Sequence, residues 1–326
     1  MPLKNIAVYP VASESFGVRS MCTYVETPNL KILIDPGVSL GLRFGLLPHP
    51  LEYKVRREKR KEIAGFAQKA DFLTVTHWHF DHYTPTFRDE VFNGSSPEAA
   101  KEIFKDKMVY VKDIRSNVNL SQRQRGWLFQ KTAGKITKSI EAADGKFLIF
   151  GDTTVKFSSP VFHGEENSIL GWVIMITVSH DGEKVMYSSD VQGPMVPETT
   201  AQILMEKPSL LILGGPPSYL EGYKVGESSI KNALKSMMEL ASRIETVILE
   251  HHLLRDAGWR TFAQPVYEAA GRSGGRVVTA AEYLGLENHI LENQRQRLYE
   301  EYPPSQEFIK WTKMHRENRN ETAPPV

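Results

Sequence analysis

Cysteine is all but missing from this chain of 326 residues, Cys22 standing alone. An intramolecular disulfide is excluded, as is a thiolate-rich metal knuckle, and a reducing compartment fits. Long apolar runs are missing too. None approaches the roughly 18 residues of a membrane-crossing helix, and the start Met1-Pro2-Leu3-Lys4-Asn5 lacks the apolar segment of an export signal. A cytoplasmic protein with no membrane partner is the expectation. Nor is one sign of charge in excess. The chain sets 40 Lys and Arg against 39 Asp and Glu, a formal net charge of +1, so bulk electrostatics do not mark a duplex-binding protein, although a local basic patch is compatible with them. Apolar residues, by contrast, make up 41% of the chain. That is ample for the core of one large domain or two ordinary ones.

One stretch states a chemistry by itself. His77-Trp78-His79-Phe80-Asp81-His82 follows directly on the apolar run Phe72-Leu73-Thr74-Val75-Thr76. Side-chain direction repeats every second residue in a strand, so His77 and His79 reach the same side and can share one cation. Once the chain turns, Asp81 and His82 can swing a carboxylate and a third imidazole to a second cation a few ångströms away, as in two-metal hydrolytic sites. Nitrogen and carboxylate ligands without thiolate suit Zn2+ first, with Mn2+ or Fe as substitutes.

Strands and helices interleave along the rest of the chain, an α/β layout. Ile6–Tyr9, Met21–Val25 and Lys31–Ile34 read as short strands, the last closing in Asp35-Pro36-Gly37. Glu52–Lys69 reads as a helix with Val55, Ile63 and Phe66 inside, and its basic run of Lys54, Arg56, Arg57, Lys59, Arg60 and Lys61 reads as a solvated face. Gly171–Val178 and Lys184–Ser189 form a hairpin whose Asp181-Gly182 supplies the positive φ of the turn, leaving His180 a turn residue. Helices over Pro197–Lys207, Ser229–Ser242 and Phe262–Arg272 alternate with strands Leu210–Leu213, Thr246–Leu249 and Arg276–Thr279.

Further residues of ligand type sit where strands stop. His163 follows Val155–Val161, Asp190 ends the hairpin, and His251-His252 closes Thr246–Glu250. Four ligands on two cations leave room for one more imidazole per metal and a bridging carboxylate, and these residues match that demand in type and number.

The ordered set Asp35, His77-x-His79-x-Asp81-His82, His163, Asp190, His251 resembles the metallo-β-lactamase superfamily over roughly residues 1–286. The resemblance implies a four-layered αββα sandwich, α/β or α+β in class, with a dinuclear site at one edge. More narrowly, the blocks Ser15-Phe16-Gly17-Val18-Arg19-Ser20-Met21, Ile34-Asp35-Pro36-Gly37, Gly214-Gly215-Pro216-Pro217 and Glu250-His251-His252-Leu253-Leu254-Arg255-Asp256 are similar to an uncharacterised archaeal branch. That branch is described as predicted metal-dependent hydrolases or RNases. Carried over residue by residue, the resemblance implies His77, His79 and His163 at the first metal and Asp81, His82 and a final His at the second. Asp190 would bridge them, and Asp35 would orient a ligand by hydrogen bond. The spacing from His251 to Arg255 resembles the final His and Arg of the tRNA-processing branch. This favours His251 as the ligand and leaves His252 to an outer or substrate contact.

Such a site implies a metal-dependent hydrolase. Two divalent cations sharing a water lower its pKa from about 15.7 toward 7, and Asp81 would hold or accept its proton. Secreted β-lactamases carry an export signal, absent here, and β-CASP nucleases insert a domain where only about 60 residues separate Asp190 from His251. A phosphodiester, small or nucleic-acid, is the favoured substrate, because Arg255 could offer a guanidinium fork to a phosphoryl group; a salt bridge to a structural carboxylate is the other reading of that residue. A carboxylic ester, lactone or thioester is the alternative. A metal-binding or redox protein that hydrolyses nothing is the third reading.

Two segments stand outside this scheme. Asn117–Arg125 reads as a helix start capped by Asn119 or Ser121 with exposed charges beyond it, or as a phosphate contact made by the helix N-terminus with Arg123 or Arg125. From 287 to 326 the chain reads as a charged extension, helical over Glu287–Tyr302, broken at Pro303-Pro304 and disordered over Arg316–Val326. It would pack on the core or on a neighbouring subunit of a homo-oligomer.

Overall fold

The computed structural model describes residues 3–326, and its two main sheets follow from alternation along the strands. The first sheet runs in chain order through β1 (Ala7–Pro10), β2 (Thr23–Thr27), β3 (Leu30–Ile34), β4 (Phe72–Val75), β5 (Met108–Val111) and β6 (Ser139–Ala142). Its first three strands are antiparallel, and β3 to β6 are parallel. The chain then crosses to the second sheet with β7 (Phe147–Phe150) and β8 (Thr153–Phe157). A small hairpin of β9 (Val161–Phe162) and β10 (Trp172–Val173) intervenes before β11 (Ile176–His180), β12 (Glu183–Tyr187), β13 (Leu210–Gly214), β14 (Thr246–Glu250) and β15 (Arg276–Val278). From β12 to β15 the pairing is parallel.

Each sheet is apolar on both faces, which is what two buried faces require. Leu33, Leu73, Val75 and Val109 face helices α1 (Pro50–Lys69), α2 (Pro97–Phe104) and α3 (Leu120–Thr132), while Ile32, Ile34 and Phe72 face the other sheet. On the second sheet Leu210, Ile212 and Ile248 point inward; Leu211, Leu213, Val247 and Leu249 point out to helices that include α5 (Glu227–Arg243) and α6 (Trp259–Ser273), which follow α4 (Pro197–Glu206). Three apolar layers between four structural ones make the expected αββα sandwich. No helix of the described residues is long and apolar enough to cross a membrane.

Three expectations need correction. The basic run on α1 is not all solvated, because Arg56 and Arg60 share the buried stripe of Tyr53, Ile63 and Ala67. Arg60 Nη2 donates to the carbonyls of Val38 (2.9 Å) and Asn93 (2.6 Å), and Arg56 Nη2 to that of Glu90 (3.0 Å). A guanidinium can satisfy several loop carbonyls that have no strand partner, and burial is tolerated for that reason. The stretch after 287 is not one helix either. Ile290 and Leu291 are buried in a non-helical segment, and helix begins only after a 3-10 turn.

Short helices α7 (Ala280–Tyr283), α8 (Arg295–Glu301), α9 (Gln306–Thr312) and α10 (Arg316–Glu321) finish the chain. Arg295, fully buried, pairs with Glu52 at 2.7 and 2.8 Å and donates to the carbonyls of Gly41 and Leu46. Phe308 and Trp311 pack on Tyr53. The residues expected to be disordered form α10, and Trp311 Nε1 donates to Thr322 O at 2.9 Å.

Candidate metal centre

Strands that stop at one edge, most of them parallel to a neighbour, bring their following residues together, the usual place for a site in such sheets. β4 leads into His77–His82, β9 into His163, β12 into Asp190 and β14 into His251. Ligand atoms of His77, His79, His163 and Asp190 lie within 4.8 Å of one another, as do those of Asp81, His82 and His251, and those of Asp190, His251 and His252. Asp190 belongs to the first and third groups and so stands between the two ends of the centre. Its Oδ2 is 2.9 Å from His163 Nε2 and 3.2 Å from His251 Nε2.

The loop that carries these residues is pressed against the end of β3. A Cβ on Gly37 would come within 2.2 Å of Tyr83 N, so only glycine lets the His82-Tyr83 backbone pass. Asp35 (φ 50°), Ser189 (φ 59°) and His251 (φ 72°) adopt left-handed backbone, a conformation that costs a non-glycine residue on the order of 1–3 kcal/mol and concentrates at functional sites.

Carboxylates fix the protons of the second end. Asp35 accepts from Thr76 N (2.7 Å), Thr76 Oγ1 (2.5 Å), Tyr187 OH (2.8 Å) and His82 Nδ1 (2.7 Å). With its Nδ1 proton committed, His82 turns a bare Nε2 to the centre. Glu14 does the same for His251, with Oε1 3.1 Å from Nδ1. His252 is wired the other way: Arg255 Nη1 donates to its Nδ1 at 3.0 Å, so the neutral ring carries its proton on Nε2, 3.1 Å from Asp190 Oδ2.

The first end has lone pairs and nothing to receive. Among the described residues, His77 Nε2, His163 Nδ1 and Asp190 Oδ1 are buried without a hydrogen-bond partner, and His163 Nε2 has Asp190 Oδ2 beside it. Burial, then the neighbouring His82, His79 and His163, push His77 well below the ordinary imidazole range, and burial and His163 do so for His79. Burial works against Asp190 ionising, yet His163, His252 and His251 hold it well below the usual carboxylate range. Burial likewise opposes a charged His251, but Glu14 and Asp190 push it well above its ordinary value. Burial and Arg255 take His252 down to about 4. Neutral His77 and His79 beside an ionised Asp190 are a donor set for a divalent cation, and orphaned buried atoms of this kind call for one.

Arg255 lies at the centre, and of its two readings it takes the salt bridge to a carboxylate. Its Nε and Nη2 both donate to Glu14 Oε1, at 2.9 and 2.6 Å, and Nη2 also reaches Asp81 Oδ2 at 3.3 Å. The fork is consumed by a buried carboxylate, with nothing left for a phosphoryl group. Glu14 itself escaped sequence reasoning. It lies in the 3-10 turn Glu14–Phe16, and its only sequence signal is adjacency to the Ser15-Phe16-Gly17 block. His180 is remote from the centre, its Nδ1 2.9 Å from Thr153 Oγ1. Asn119 caps α3 by accepting from Gln122 N at 2.7 Å, and Arg123 donates to the Ile114 carbonyl. Arg125 comes nearest the centre: Nη1 reaches Trp78 O at 3.3 Å, and the guanidinium lies 4.4 Å from the Phe80 ring centroid.

The layered sheets, with a His/Asp cluster where their strands end, define a metallo-β-lactamase fold. No family model matches the chain. It is 39% identical over 292 residues to the UPF0282 protein of Methanopyrus kandleri, a match covering 89% of this chain and 98% of that protein. The chain belongs to this archaeal UPF0282 family. Among solved structures, the diiron beta-hydroxylase CmlA of Streptomyces venezuelae superposes with a TM-score of 0.51 at 13% identity, over 86% of this chain and 53% of that one. The metallo-beta-lactamase fold protein YhfI of Bacillus subtilis gives 0.48 at 14% identity, over 85% and 96%. At these identities the likeness is one of fold.

Proposed function

We propose that the protein is a metal-dependent hydrolase acting on a phosphodiester. The observation that carries the reading is the set of buried, partnerless ligand atoms on His77, His163 and Asp190. His77, His79 and His163 would hold one divalent cation, Asp81, His82 and His251 a second, and Asp190 would serve both. Zinc suits the donors best. Bound there, the pair supplies Lewis acidity and a water acidic enough to ionise near neutral pH.

The chain's own groups do the rest. Asp35 and Glu14 hold His82 and His251 in the tautomer that leaves Nε2 free. Asp81, whose side chain is 16% exposed, accepts the hydrogen bond of the attacking water and orients it. His252 offers an Nε2 proton at the mouth, suited to an oxygen that gains charge. Arg255 acts by positioning Glu14, His252 and Asp81. Arg125, which borders the cluster and pairs with no carboxylate among the described residues, is the cation that would face the phosphate.

Metal-loaded protein should hydrolyse bis-p-nitrophenyl phosphate in preference to a lactone and a thioester, and His79→Ala should abolish that hydrolysis. Preference for the lactone or thioester would move the substrate class, and inertness toward all three would refute the hydrolase. The diiron chemistry named for CmlA favours a second reading, an iron protein that activates oxygen. Oxygen uptake by iron-loaded protein, with no hydrolysis by the zinc form, would select it.

A further inference from the structure

The exposed face of α3 has a composition unlike the rest of the molecule. No acidic residue lies between Asp113 and Glu141, whereas Arg115, Arg123, Arg125, Lys131, Lys135 and Lys138 all fall there, in a chain whose net charge is only +1. The acids beside the segment are engaged, Asp113 by Arg115 at 3.0 Å and Asp144 by Lys112 at 2.7 Å. Apolar groups are open on the same helix: Leu120 is 70%, Trp127 54% and Leu128 39% exposed. Spacings of three, four and seven put Leu120, Gln124, Trp127, Leu128 and Lys131 on one side of a helix. Beside them opens a concavity of about 730 Å³, lined by Ile114, Arg115, Arg123, Gln124, Trp127 and Leu128, within the range of ligand sites.

The helix that bears this face packs, by its buried side, on the loops of the metal centre. A Cβ on Gly126 would meet the Trp78 indole at 2.6 Å, so glycine lets α3 lie directly on the His77–His82 loop. At its other end Gln122 Nε2 donates to Leu170 O at 2.8 Å and Asn119 Nδ2 to Ile169 O at 2.6 Å, binding α3 to the loop after His163. Between these contacts Arg125 lies over Phe80.

A second copy of the chain is a poor occupant, because two such faces would set cations against cations. A duplex would engage the cations with its phosphates while its bases stayed stacked, leaving Trp127 and Leu128 uncovered. A single strand covers both features, bases stacking on the indole and phosphates meeting Arg123, Lys131 and their neighbours. Unstacked bases in loops and at ends are what proteins commonly recognise in RNA.

We infer that this face of α3 seats single-stranded RNA and guides it to the metal centre, an inference that rests on the phosphodiester reading above. Fluorescence anisotropy with a labelled, 2′-O-methylated oligouridylate would test it on the full chain. The protein binds this probe, and Trp127→Ala weakens binding roughly 10-fold, within the range for losing one stacking platform. Arg123→Gln with Lys131→Gln weakens it further and flattens its salt dependence by up to about 1.4 in log–log slope. Trp127→Ala leaves hydrolysis of bis-p-nitrophenyl phosphate unchanged, which also shows that the variant folds. Absent binding, or binding indifferent to both variants, overturns the inference while small-diester hydrolysis keeps the hydrolase. Tighter binding of the matching DNA strand, an RNA duplex or polyglutamate overturns the assignment of occupant. RNA binding that responds to the variants, without hydrolysis of any diester, supports the seat and refutes the hydrolase.

Discussion

The two ends of the centre are built on different principles. At one, His82 and His251 each have a carboxylate at their backs, Asp35 at 2.7 Å and Glu14 at 3.1 Å. At the other, His77 Nδ1 has only the hydroxyls of Thr76 and Ser189 at 3.3 Å, and His163 Nδ1 has no partner. A carboxylate behind an imidazole fixes its tautomer and strengthens it as a donor, but it also makes the ring a better base. Protons should therefore compete harder for the buttressed end. The bare end relies on burial and crowding to stay neutral.

The largest effect expected is from His79→Ala, which should remove at least one of about two metal equivalents by elemental analysis and take diester hydrolysis to background. Full metallation of that variant would break the division into two ends. Glu14→Gln comes next. It should weaken the second cation on the order of 10–100-fold, the usual cost of losing an outer partner, and leave the first in place, as read by competition with a graded chelator. Equal weakening of both would show that the ends are not separable.

Lowering the pH sharpens the same contrast. His251 is raised above its ordinary value, so it takes a proton first as pH falls, and a protonated ring cannot ligate; His77 and His79 are depressed and stay neutral further into acid. The second equivalent should thus leave before the first in a metal titration followed against pH, and the reverse order would refute the role given to Glu14. The smallest effects are at the two histidines outside the proposed ligand set. His252→Ala should keep both metals and lower turnover, whereas His180→Ala should change neither.

How far the site could be read in advance depended on how its parts are joined. His77 to His82 are contiguous and strand-fed, so spacing alone brings them together. His163, Asp190 and His251 are hundreds of atoms apart along the chain, yet each marks the end of an apolar run; β12 and β14 end at one edge as parallel strands do, and the β9 hairpin brings His163 to it. Glu14 has no such marker. It meets His251 across 237 residues from within a single 3-10 turn, where there is no periodicity to read. Arg255 stayed open between substrate fork and salt bridge, because spacing places a side chain near a centre without revealing a competitor for its charge. The same blindness affected α1, where Arg56 and Arg60 fall on the inner stripe and are neutral to any pattern that counts charge as outside. The αββα layers were legible because alternation along the strands fixes which face each residue joins; the packing of residues 287–326 was not, since it depends on a partner far back in the chain.

That last contact bears on how the molecule is made. Arg295 closes on Glu52 across 243 residues, and His49, which caps the first turn of α1, has Nε2 2.8 Å from the Tyr302 carbonyl. The junction of this loop with α1 is therefore finished by groups synthesised late. Contacts of such long sequence separation slow folding, because the chain must be closed into a large loop before they form. A chain lacking these residues would leave the first turn of α1 and the carbonyls of Gly41 and Leu46 without the groups that satisfy them.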